Sequence, residues 1–328
     1  MVRAVVCREL GPPESLKLED VPRAPLAPKQ GQGQVRVAIH AAGLNFPDIL
    51  MAAGEYQLKP PLPFTPGMEA GGEVIEVAGA DGVSIGDKVI VKARFGCYAD
   101  EIVLTPDQLT PLPSTFDYAQ GAAFLAAHGT AYHALKDRAQ VKPGEVLLVH
   151  GAGGGVGLAA VELGKVFGAT VIACASSEEK LAVATQRGAD HVVLYGREPF
   201  KDAVKRITDG RGVDVVFDPV GGAIFEDSLR CIGWGARLLV IGFTGGVGIA
   251  KTNLVLIKGA SVLGVRAGEA VRKNPALGVV RLADLTRLAE EGRISPNISH
   301  RLPLEDYAKA MRLLMDRRAI GRVVLMMR

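Results

Sequence analysis

The amino-acid sequence predicts an α/β fold, in which a β-rich lobe accompanies a doubly wound parallel sheet of six strands. The first observation is a change of pattern: short strands separated by Gly and Pro fill the first 120 residues, and apolar runs alternating with helical segments follow. The second is that the later runs are almost continuously apolar, which is typical of parallel strands covered by helices on both faces. The third is the length of 328 residues, which exceeds one hydrophobic core and indicates two or three domains.

The N-terminal lobe is predicted from short runs of β-branched residues bounded by turn signals such as Ile85-Gly-Asp. The predicted strands cover residues 35–40, 72–77, 88–91 and 98–103. A helical pattern from about Asp117 to Arg138 then separates this lobe from the alternating region.

The alternating region supplies the predicted parallel sheet. Its six apolar strands cover residues 146–149, 170–175, 191–195, 213–218, 237–241 and 261–265. After them come a helix at 275–292, a strand at 298–302, a helix at 304–317 and a final strand at 322–326. We expect this last part to rejoin the N-terminal lobe, so that residues 1–120 and 266–328 form one domain and residues 121–265 the other.

The composition excludes several classes of protein. Hydrophobic residues make up 48% and charged residues 22% of the chain, which rules out a disordered protein. The net charge of +3 comes from scattered Lys and Arg residues, so no surface for nucleic acid or anionic lipid is indicated. The sequence predicts no membrane span and no signal peptide.

Four cysteines lie far apart in the chain and never form C-x-x-C, namely Cys7, Cys97, Cys174 and Cys231. Their spacing indicates neither disulfides nor a thiolate metal site, and it favours a cytoplasmic location.

A glycine-rich loop joins the first predicted parallel strand to the next helix, with the sequence Val149-His-Gly-Ala-Gly-Gly-Gly-Val-Gly157. Its spacing is A-x-G-x-x-G, with Ala152 where a dinucleotide-binding loop has its first glycine. In such a loop the helix N-terminus binds a pyrophosphate, and the last glycine permits tight packing of helix on strand. The residues predicted to hold the cofactor here are Gly154, Gly155, Val156 and Gly157. The alternative is a turn that only reverses the chain.

The end of the second parallel strand decides which dinucleotide is expected, because it lies beside the adenosine ribose. No acid stands there to accept a hydrogen bond from the 2′-hydroxyl of NAD. Instead Ser176 and Lys180 offer groups that suit the 2′-phosphate of NADPH, with Tyr195 as a third contact. The alternative is that Ser176 or Ser177 caps the following helix, with Glu179 completing a capping box. Lys180 would then be an ordinary solvated side chain.

Motifs with a family resemblance occur along almost the whole chain. They include Ala42-Gly-Leu-Asn-Phe-Pro-Asp48, Pro61-Leu-Pro-Phe-Thr-Pro-Gly-Met-Glu69, Gly129-Thr-Ala-Tyr-His133, the glycine loop, Ala175-Ser-Ser-Glu-Glu-Lys180 and Gly321-Arg-Val-Val-Leu325. Together they resemble the medium-chain dehydrogenase/reductase superfamily, and within it the zinc-free NADPH:quinone oxidoreductase group that includes zeta-crystallin. The resemblance implies a GroES-like catalytic domain built from both chain ends and an inserted Rossmann domain that binds NADPH.

Two positions of the family pattern argue against a catalytic zinc. Zinc-dependent relatives carry a Cys in the first motif and a His before a Glu in the second, whereas this sequence has Asn45 and Met68 there. A neutral amide and a thioether cannot replace thiolate and imidazole. Asp48 and Glu69 remain, and for each we expect a helix-cap or ion-pair role. The sequence therefore predicts no metal site.

Without a metal, hydride transfer depends on placement and on a donor near the atom that gains negative charge. Conjugated acceptors suit such a site, because the charge spreads through their π system. The resemblance implies Asn45 and Tyr56 as catalytic groups, and the alternative for Tyr56 is a packing side chain. The family often has a tyrosine where this chain has Leu50, which removes that side chain as a proton donor. The resemblance also places at the cofactor Asn45, Thr130, Gly242, Phe243 and Arg322.

The sequence thus predicts an NADPH-dependent reductase of quinones or activated C=C bonds, acting on a small molecule. The alternatives are an enoyl or acryloyl thioester reductase and a catalytically quiet NADPH-binding protein. The apolar strand at 261–265 would end the parallel sheet, and pairing with its symmetry mate would close that edge. We therefore expect a homodimer.

Overall fold

The structure is a computed structural model that describes residues 1–28 and 32–327. The chain divides into two compact units, Met1–Ala126 together with the chain from Pro296 onward, and Ala127–Ser295. The first unit is rich in β-structure, and the second alternates strands with helices. The predicted α/β class is confirmed.

The N-terminal part of the first unit contributes most of its strands. Its elements are β1 (Val2–Val6), β2 (Lys17–Val21), β3 (Gln34–Gly43), α1 (Phe46–Ala52), β4 (Glu69–Ala78), β5 (Lys88–Lys92), β6 (Glu101–Leu104), β7 (Leu109–Pro111) and α2 (Tyr118–Ala122). The carboxylate of Asp117 accepts a hydrogen bond from the backbone N–H of Gln120, and this cap starts α2 where the sequence predicts a helix.

The second unit holds the parallel sheet. Its elements, beginning with a helix that spans the boundary, are α3 (Leu125–Tyr132), β8 (Val146–Val149), α4 (Gly155–Val166), β9 (Thr170–Ala175), α5 (Glu178–Gln186), β10 (His191–Leu194), α6 (Phe200–Ile207), β11 (Val213–Asp218), α7 (Gly222–Ser228), β12 (Ile232–Val240), α8 (Thr252–Lys258), β13 (Ser261–Gly264), α9 (Ala267–Lys273) and α10 (Pro275–Glu290). The strand order is β10-β9-β8-β11-β12-β13 with every pair parallel, which is the doubly wound order of a dinucleotide-binding sheet.

The chain then completes the first unit with three elements, β14 (Ile298–Pro303), α11 (Tyr307–Met315) and β15 (Arg322–Met326). Strands β14 and β15 join the main sheet of this unit in the order β14-β15-β3-β4-β5-β7, with β6 also paired to β3. The expectation that the C-terminal strands rejoin the N-terminal lobe agrees with this pairing.

The return to the first unit occurs at Pro296, later in the chain than the expected residue 266. The reason is that α10 belongs with the second unit through polar side-chain contacts that are partly buried. Tyr132 donates a hydrogen bond to Asp284 at 2.6 Å, and Arg281 pairs with Asp137 at 3.3 Å. Such side-chain contacts leave no trace in hydrophobic periodicity, so the pattern alone places the boundary too early.

Each unit has its own hydrophobic core. In the second unit the strands β8, β9 and β11 are buried almost throughout, as expected for central strands of a sheet with helices on both faces. Within the described part of the chain, no helix has both the length and the apolar surface that a membrane crossing requires.

Candidate active site

The glycine loop of the second unit runs from the end of β8 to the start of α4, with Gly154 as the extended residue before the helix. A Cβ at Gly157 would lie 2.3 Å from the carbonyl oxygen of Gly151, so this glycine is required for α4 to pack against the loop. A Cβ at Gly153 would lie 2.6 Å from the side-chain stem of Lys180. A Cβ at Gly154 would meet only the oxygen of Gly151, at 3.4 Å, and would otherwise fill open space.

This loop fits the pyrophosphate of a dinucleotide. The N–H groups of Gly155, Val156 and Gly157 form the first turn of α4, where no helical carbonyl precedes them. The N–H of Gly154 is used within the loop, because it donates to Gly151 at 2.9 Å. Of the four predicted loop residues, three therefore offer backbone N–H groups that could donate hydrogen bonds to an anion, and Gly154 shapes the turn.

The two serines after β9 have different roles in the structure, one as a helix cap and the other as a candidate phosphate contact. Ser177 caps α5 and accepts a hydrogen bond from the backbone N–H of Lys180. With Ser177 at the cap, Glu179 stands at the second helical position, one short of the third position that a capping box uses. Ser176 remains exposed, and its hydroxyl oxygen lies 3.3 Å from the Lys180 ammonium. A hydroxyl and an ammonium thus stand together where a 2′-phosphate is expected.

Tyr195, the third predicted phosphate contact, follows β10 and uses its hydroxyl inside the second unit. The hydroxyl oxygen lies 2.7 Å from Nδ1 of His150, a fully buried residue directly before the glycine loop. Burial raises the pKa of Tyr195 well above its usual value and lowers the pKa of His150 to about 3, so both side chains are neutral. Sequence analysis did not single out His150; the signal was a polar residue at the end of a buried apolar strand.

In the first unit, Asn45, Glu69 and Arg322 form a closed and buried cluster, which we call the amide cluster. The side-chain amide of Asn45 donates to Oε1 of Glu69 at 3.2 Å and accepts from Nη1 of Arg322 at 2.9 Å. Arg322 Nη2 pairs with Glu69 Oε1, and Glu69 Oε2 accepts from the backbone N–H of Ala126 at 2.9 Å. Because Arg322 has only donors and the carboxylate only acceptors, the orientation of the amide is determined.

Asp48, at the start of α1, lies beside the amide cluster and is fully buried. Its Oδ2 accepts hydrogen bonds from the Tyr98 hydroxyl at 2.8 Å and from the Asn45 backbone N–H at 2.9 Å. Burial raises the pKa of Asp48 to about 7, against the lowering effect of these two donors. The helix-cap role expected for Asp48 agrees with its bond to the Asn45 backbone, and the ion-pair role expected for Glu69 agrees with its pairing to Arg322.

The residues present do not fit a catalytic zinc. Asn45 uses its amide oxygen for Arg322, and the Glu69 carboxylate is neutralised by the same guanidinium. Met68 offers only a thioether, which binds Zn²⁺ poorly. Among residues 1–28 and 32–327, no three His, Cys, Asp or Glu side chains are arranged to hold a metal ion.

The remaining predicted residues are divided between the two units. Tyr56 is half-buried and packs against the core of the first unit, in line with the packing alternative. Thr130 is half-buried on α3 in the second unit, and Phe243 is exposed in the loop after β12, next to Gly242. Arg322 uses both Nη atoms within the first unit, so its contact with the cofactor stays a prediction, as do those of Thr130, Gly242 and Phe243.

Known proteins resemble the chain over both units. Residues 31–114 match the family described as alcohol dehydrogenase GroES-like domain, and residues 155–282 match the family described as zinc-binding dehydrogenase. The quinone oxidoreductase-like protein 2 homolog of Nematostella vectensis is 39% identical over 98% of this chain and 88% of its own.

Two solved structures show the same architecture at full length. The mycobacterial protein Rv1454c complexed with NADPH is 28% identical, with a TM-score of 0.89 and 99% of both chains covered. A structure described as an NAD-dependent alcohol dehydrogenase is 33% identical, also with a TM-score of 0.89, and covers 99% of this chain and all of its own. The similarity thus extends to proteins whose descriptions name different cofactors.

Proposed function

The chain belongs to the medium-chain dehydrogenase/reductase superfamily, and from this membership we propose that it is an NADPH-dependent oxidoreductase that reduces quinones or activated C=C bonds without a metal. Its GroES-like and Rossmann-type parts are those of the family, and oxidoreductase chemistry comes with them. The choice of NADPH, the metal independence and the class of acceptor are the proposed part.

The choice of NADPH is supported by the end of β9. Lys180 lies with its stem against Gly153 and its ammonium beside the hydroxyl of Ser176, so a cation and a hydroxyl stand beside the glycine loop. Charge-assisted hydrogen bonds of this kind suit a phosphate, and an acid that would favour NAD is missing from the end of the strand. When bound, NADPH supplies a hydride from C4 of its nicotinamide.

The amide cluster carries the proposal for the acceptor. Asn45 donates one of its two side-chain N–H groups to Glu69, and its amide oxygen accepts a hydrogen bond from Arg322. The second N–H is then a hydrogen-bond donor of fixed orientation. Such a donor stabilises the oxygen of a conjugated carbonyl as it gains negative charge, and a fixed donor needs no reorganisation. A secondary alcohol needs an alkoxide stabilised by a metal or a strong base, and the amide cluster offers neither.

The proposed metal independence is supported by the same side chains. Arg322 supplies a permanent cation to Glu69, and Asn45 and Met68 stand where zinc-dependent relatives have Cys and His. Elemental analysis of protein purified without added metal is expected to find well under one zinc per chain, with activity unaffected by chelators. Stoichiometric zinc, lost together with activity, would overturn this part of the proposal.

A substrate panel tests the reaction. NADPH oxidation is measured with quinones, enones and α,β-unsaturated acyl thioesters, and NADP⁺ reduction is measured with secondary alcohols. We expect turnover of quinones or enones and none of alcohols. Turnover restricted to the thioesters would support the enoyl reductase alternative, and tight NADPH binding without any turnover would support the quiet binding protein. Alcohol oxidation alone would contradict the proposal.

The role of Asn45 is tested by Asn45→Ala, with the exposed Asn253→Ala of α8 as the matched control. Loss of one donor to a developing oxyanion lowers kcat by about a hundredfold in known cases, and we expect a loss approaching that size with the dissociation constant of NADPH unchanged. A weaker NADPH complex with normal kcat would place Asn45 on the cofactor instead.

The cofactor preference is tested by Lys180→Glu. We expect the NADPH dissociation constant to rise about tenfold and that of NADH to change little, because only NADPH carries the 2′-phosphate. Lys273→Glu, an exposed lysine of α9, is the control and is expected to affect neither cofactor. Equal weakening of both cofactors by Lys180→Glu would show that the ammonium acts elsewhere.

A further inference from the structure

His150 is the centre of a buried chain of hydrogen bonds, which we call the His150 chain. Its Nδ1 lies 2.7 Å from the Tyr195 hydroxyl and its Nε2 lies 2.8 Å from the Ser228 hydroxyl. The Ser228 oxygen is also 2.7 Å from the carbonyl oxygen of Ile224, and the backbone N–H of Gly151 donates to the Tyr195 hydroxyl. The His150 chain therefore runs from the glycine loop to α7.

The protons of the His150 chain can be arranged in two senses, because a neutral imidazole has one donor and one acceptor. In the first sense Tyr195 donates to Nδ1, Nε2–H donates to Ser228, and Ser228 donates to Ile224. In the second sense Ser228 donates to Nε2, Nδ1–H donates to the Tyr195 oxygen, and the Tyr195 proton points out of the chain. The observed distances suit both senses.

The two senses differ in what Tyr195 offers to a ligand. In the first sense its single proton is used by His150. In the second sense the proton is available to an outside acceptor, and the hydroxyl is incompletely bonded unless a ligand supplies that acceptor. The second sense also gives up the bond from Ser228 to Ile224. The unliganded protein therefore favours the first sense, and an acceptor beside Tyr195 shifts the balance to the second.

Tyr195 stands beside the candidate contacts of the 2′-phosphate. Its backbone N–H donates to the carbonyl of Ala175 at 2.9 Å, and the next residue after Ala175 is Ser176, whose hydroxyl meets Lys180. A phosphate brings negative charge and acceptor oxygens to this place. A ribose 2′-hydroxyl, as in NADH, is a neutral and weaker acceptor.

We propose that His150 and Ser228, which are both fully buried, are positioning residues that set the preference for NADPH over NADH by turning Tyr195 into a hydrogen-bond donor. The inference rests on the proposed binding of NADPH. In the switch from the first sense to the second, the N–H bond at Nε2 of His150 breaks and its proton passes to water. A new N–H bond forms at Nδ1 with a proton taken from water. The imidazole stays neutral, and no net proton is gained or lost.

Nitrogen NMR of the histidine rings tests the proposal directly in the unmodified protein. The chain has six histidines, and the signals of His150 are identified by their loss in the His150→Asn variant. We expect saturating NADP⁺ to move the protonated nitrogen of His150 from Nε2 to Nδ1, and NAD⁺ to leave it at Nε2. An unchanged tautomer in the NADP⁺ complex would overturn the proposal.

Two variants test the consequence for specificity, each measured as the ratio of the NADH and NADPH dissociation constants. Ser228→Ala removes the bond to Ile224 that the second sense has to give up, so we expect the preference for NADPH to rise about two- to fivefold. Tyr195→Phe removes the donor, so we expect the preference to fall by a similar factor. If the His150 chain had only a structural role, the Ser228→Ala variant would show no rise in the ratio of the NADH and NADPH dissociation constants.

Thr185→Val is the matched control, because the Thr185 hydroxyl also bonds to a carbonyl four residues earlier, Leu181 at 3.0 Å, but in α5 and away from His150. It is expected to leave the ratio unchanged. A ratio that stays unchanged in both test variants, or falls in Ser228→Ala, would contradict the proposal. Equal dissociation constants of NADPH and NADH in the unmodified protein would instead contradict the proposed cofactor, so the two failures are distinguishable.

Discussion

Arg322 and Glu69 are 253 positions apart in the chain and form a buried ion pair that also holds the amide of Asn45. A buried ion pair contributes little net stability, because desolvation offsets the attraction, but removing one partner leaves an uncompensated buried charge. The pair is therefore best understood as a device that orients Asn45.

A double-mutant cycle measures this interaction. We expect Arg322→Met to lower the free energy of unfolding by about 3–5 kcal/mol, because the Glu69 carboxylate is left alone in the core. The double variant Arg322→Met/Glu69→Leu removes both charges and is expected to recover most of that loss while staying inactive. Urea unfolding of these two variants and of the single variant Glu69→Leu completes the cycle. Additive effects of the two substitutions would show that the side chains do not interact.

The pH dependence of stability reports on Asp48. The pKa of Asp48 is 3.8 in the unfolded chain and about 7 in the folded protein, so folding favours the neutral acid. The free energy of unfolding therefore falls as the pH rises from about 4 to about 7, and this contribution no longer changes above pH 7. Tyr98, Arg322 and the carboxylate of Glu69 are the charged or titratable groups acting on it.

We expect Asp48→Asn, which cannot ionise, to lack this part of the pH dependence. The difference in free energy of unfolding between variant and parent should shift in favour of the variant by a few kcal/mol between pH 5 and pH 8. Urea unfolding at a series of pH values provides the measurement. Parallel pH profiles for the two proteins would mean that Asp48 is ionised throughout.

Among the elements, α4 depends on a close approach to the glycine loop that only a glycine allows. We expect Gly157→Ala to destabilise the second unit by about 1–3 kcal/mol and to weaken both NADPH and NADH, because the new methyl group would meet the Gly151 carbonyl oxygen at 2.3 Å. Thermal unfolding and cofactor titration provide the readouts. Gly268→Ala, in α9 with open space around it, is the control and is expected to be neutral or slightly stabilising.

For the whole molecule, the exposed apolar residues at the β13 end of the parallel sheet support the expected homodimer. Val262 on the edge strand, Trp234 on β12 and Leu256 on α8 are all exposed, the last two by 81% and 79%. An open apolar edge strand pairs readily with another chain, and pairing of two copies closes it.

Light scattering is therefore expected to give twice the chain mass of 34.5 kDa at micromolar concentration. Val262→Lys places a charge on the edge strand and should yield the monomer. Val279→Lys, at another exposed valine, on α10, should keep the dimer. A mass of 34.5 kDa for the unmodified protein would contradict the expectation.

Several elements could be predicted from the sequence alone. The strands at 146–149, 170–175, 213–218 and 322–326 agree residue for residue with β8, β9, β11 and β15, because uninterrupted apolar runs between turn signals specify buried strands locally. The same holds for the glycine loop, whose function depends on consecutive residues. Asn45 and Met68 likewise argued against zinc through the chemistry of their side chains.

The tertiary structure decided what depends on residues far apart in the chain. It placed α10 with the second unit through Tyr132 and Asp284, and it turned Arg322 toward Glu69 and Asn45 inside the first. It also brought the Tyr195 hydroxyl within hydrogen-bond distance of His150, which lies 45 positions earlier in the chain. Hydrophobic periodicity records which face of an element is buried, but a hydrogen bond between distant polar side chains exists only once the backbone has brought them within about 3 Å.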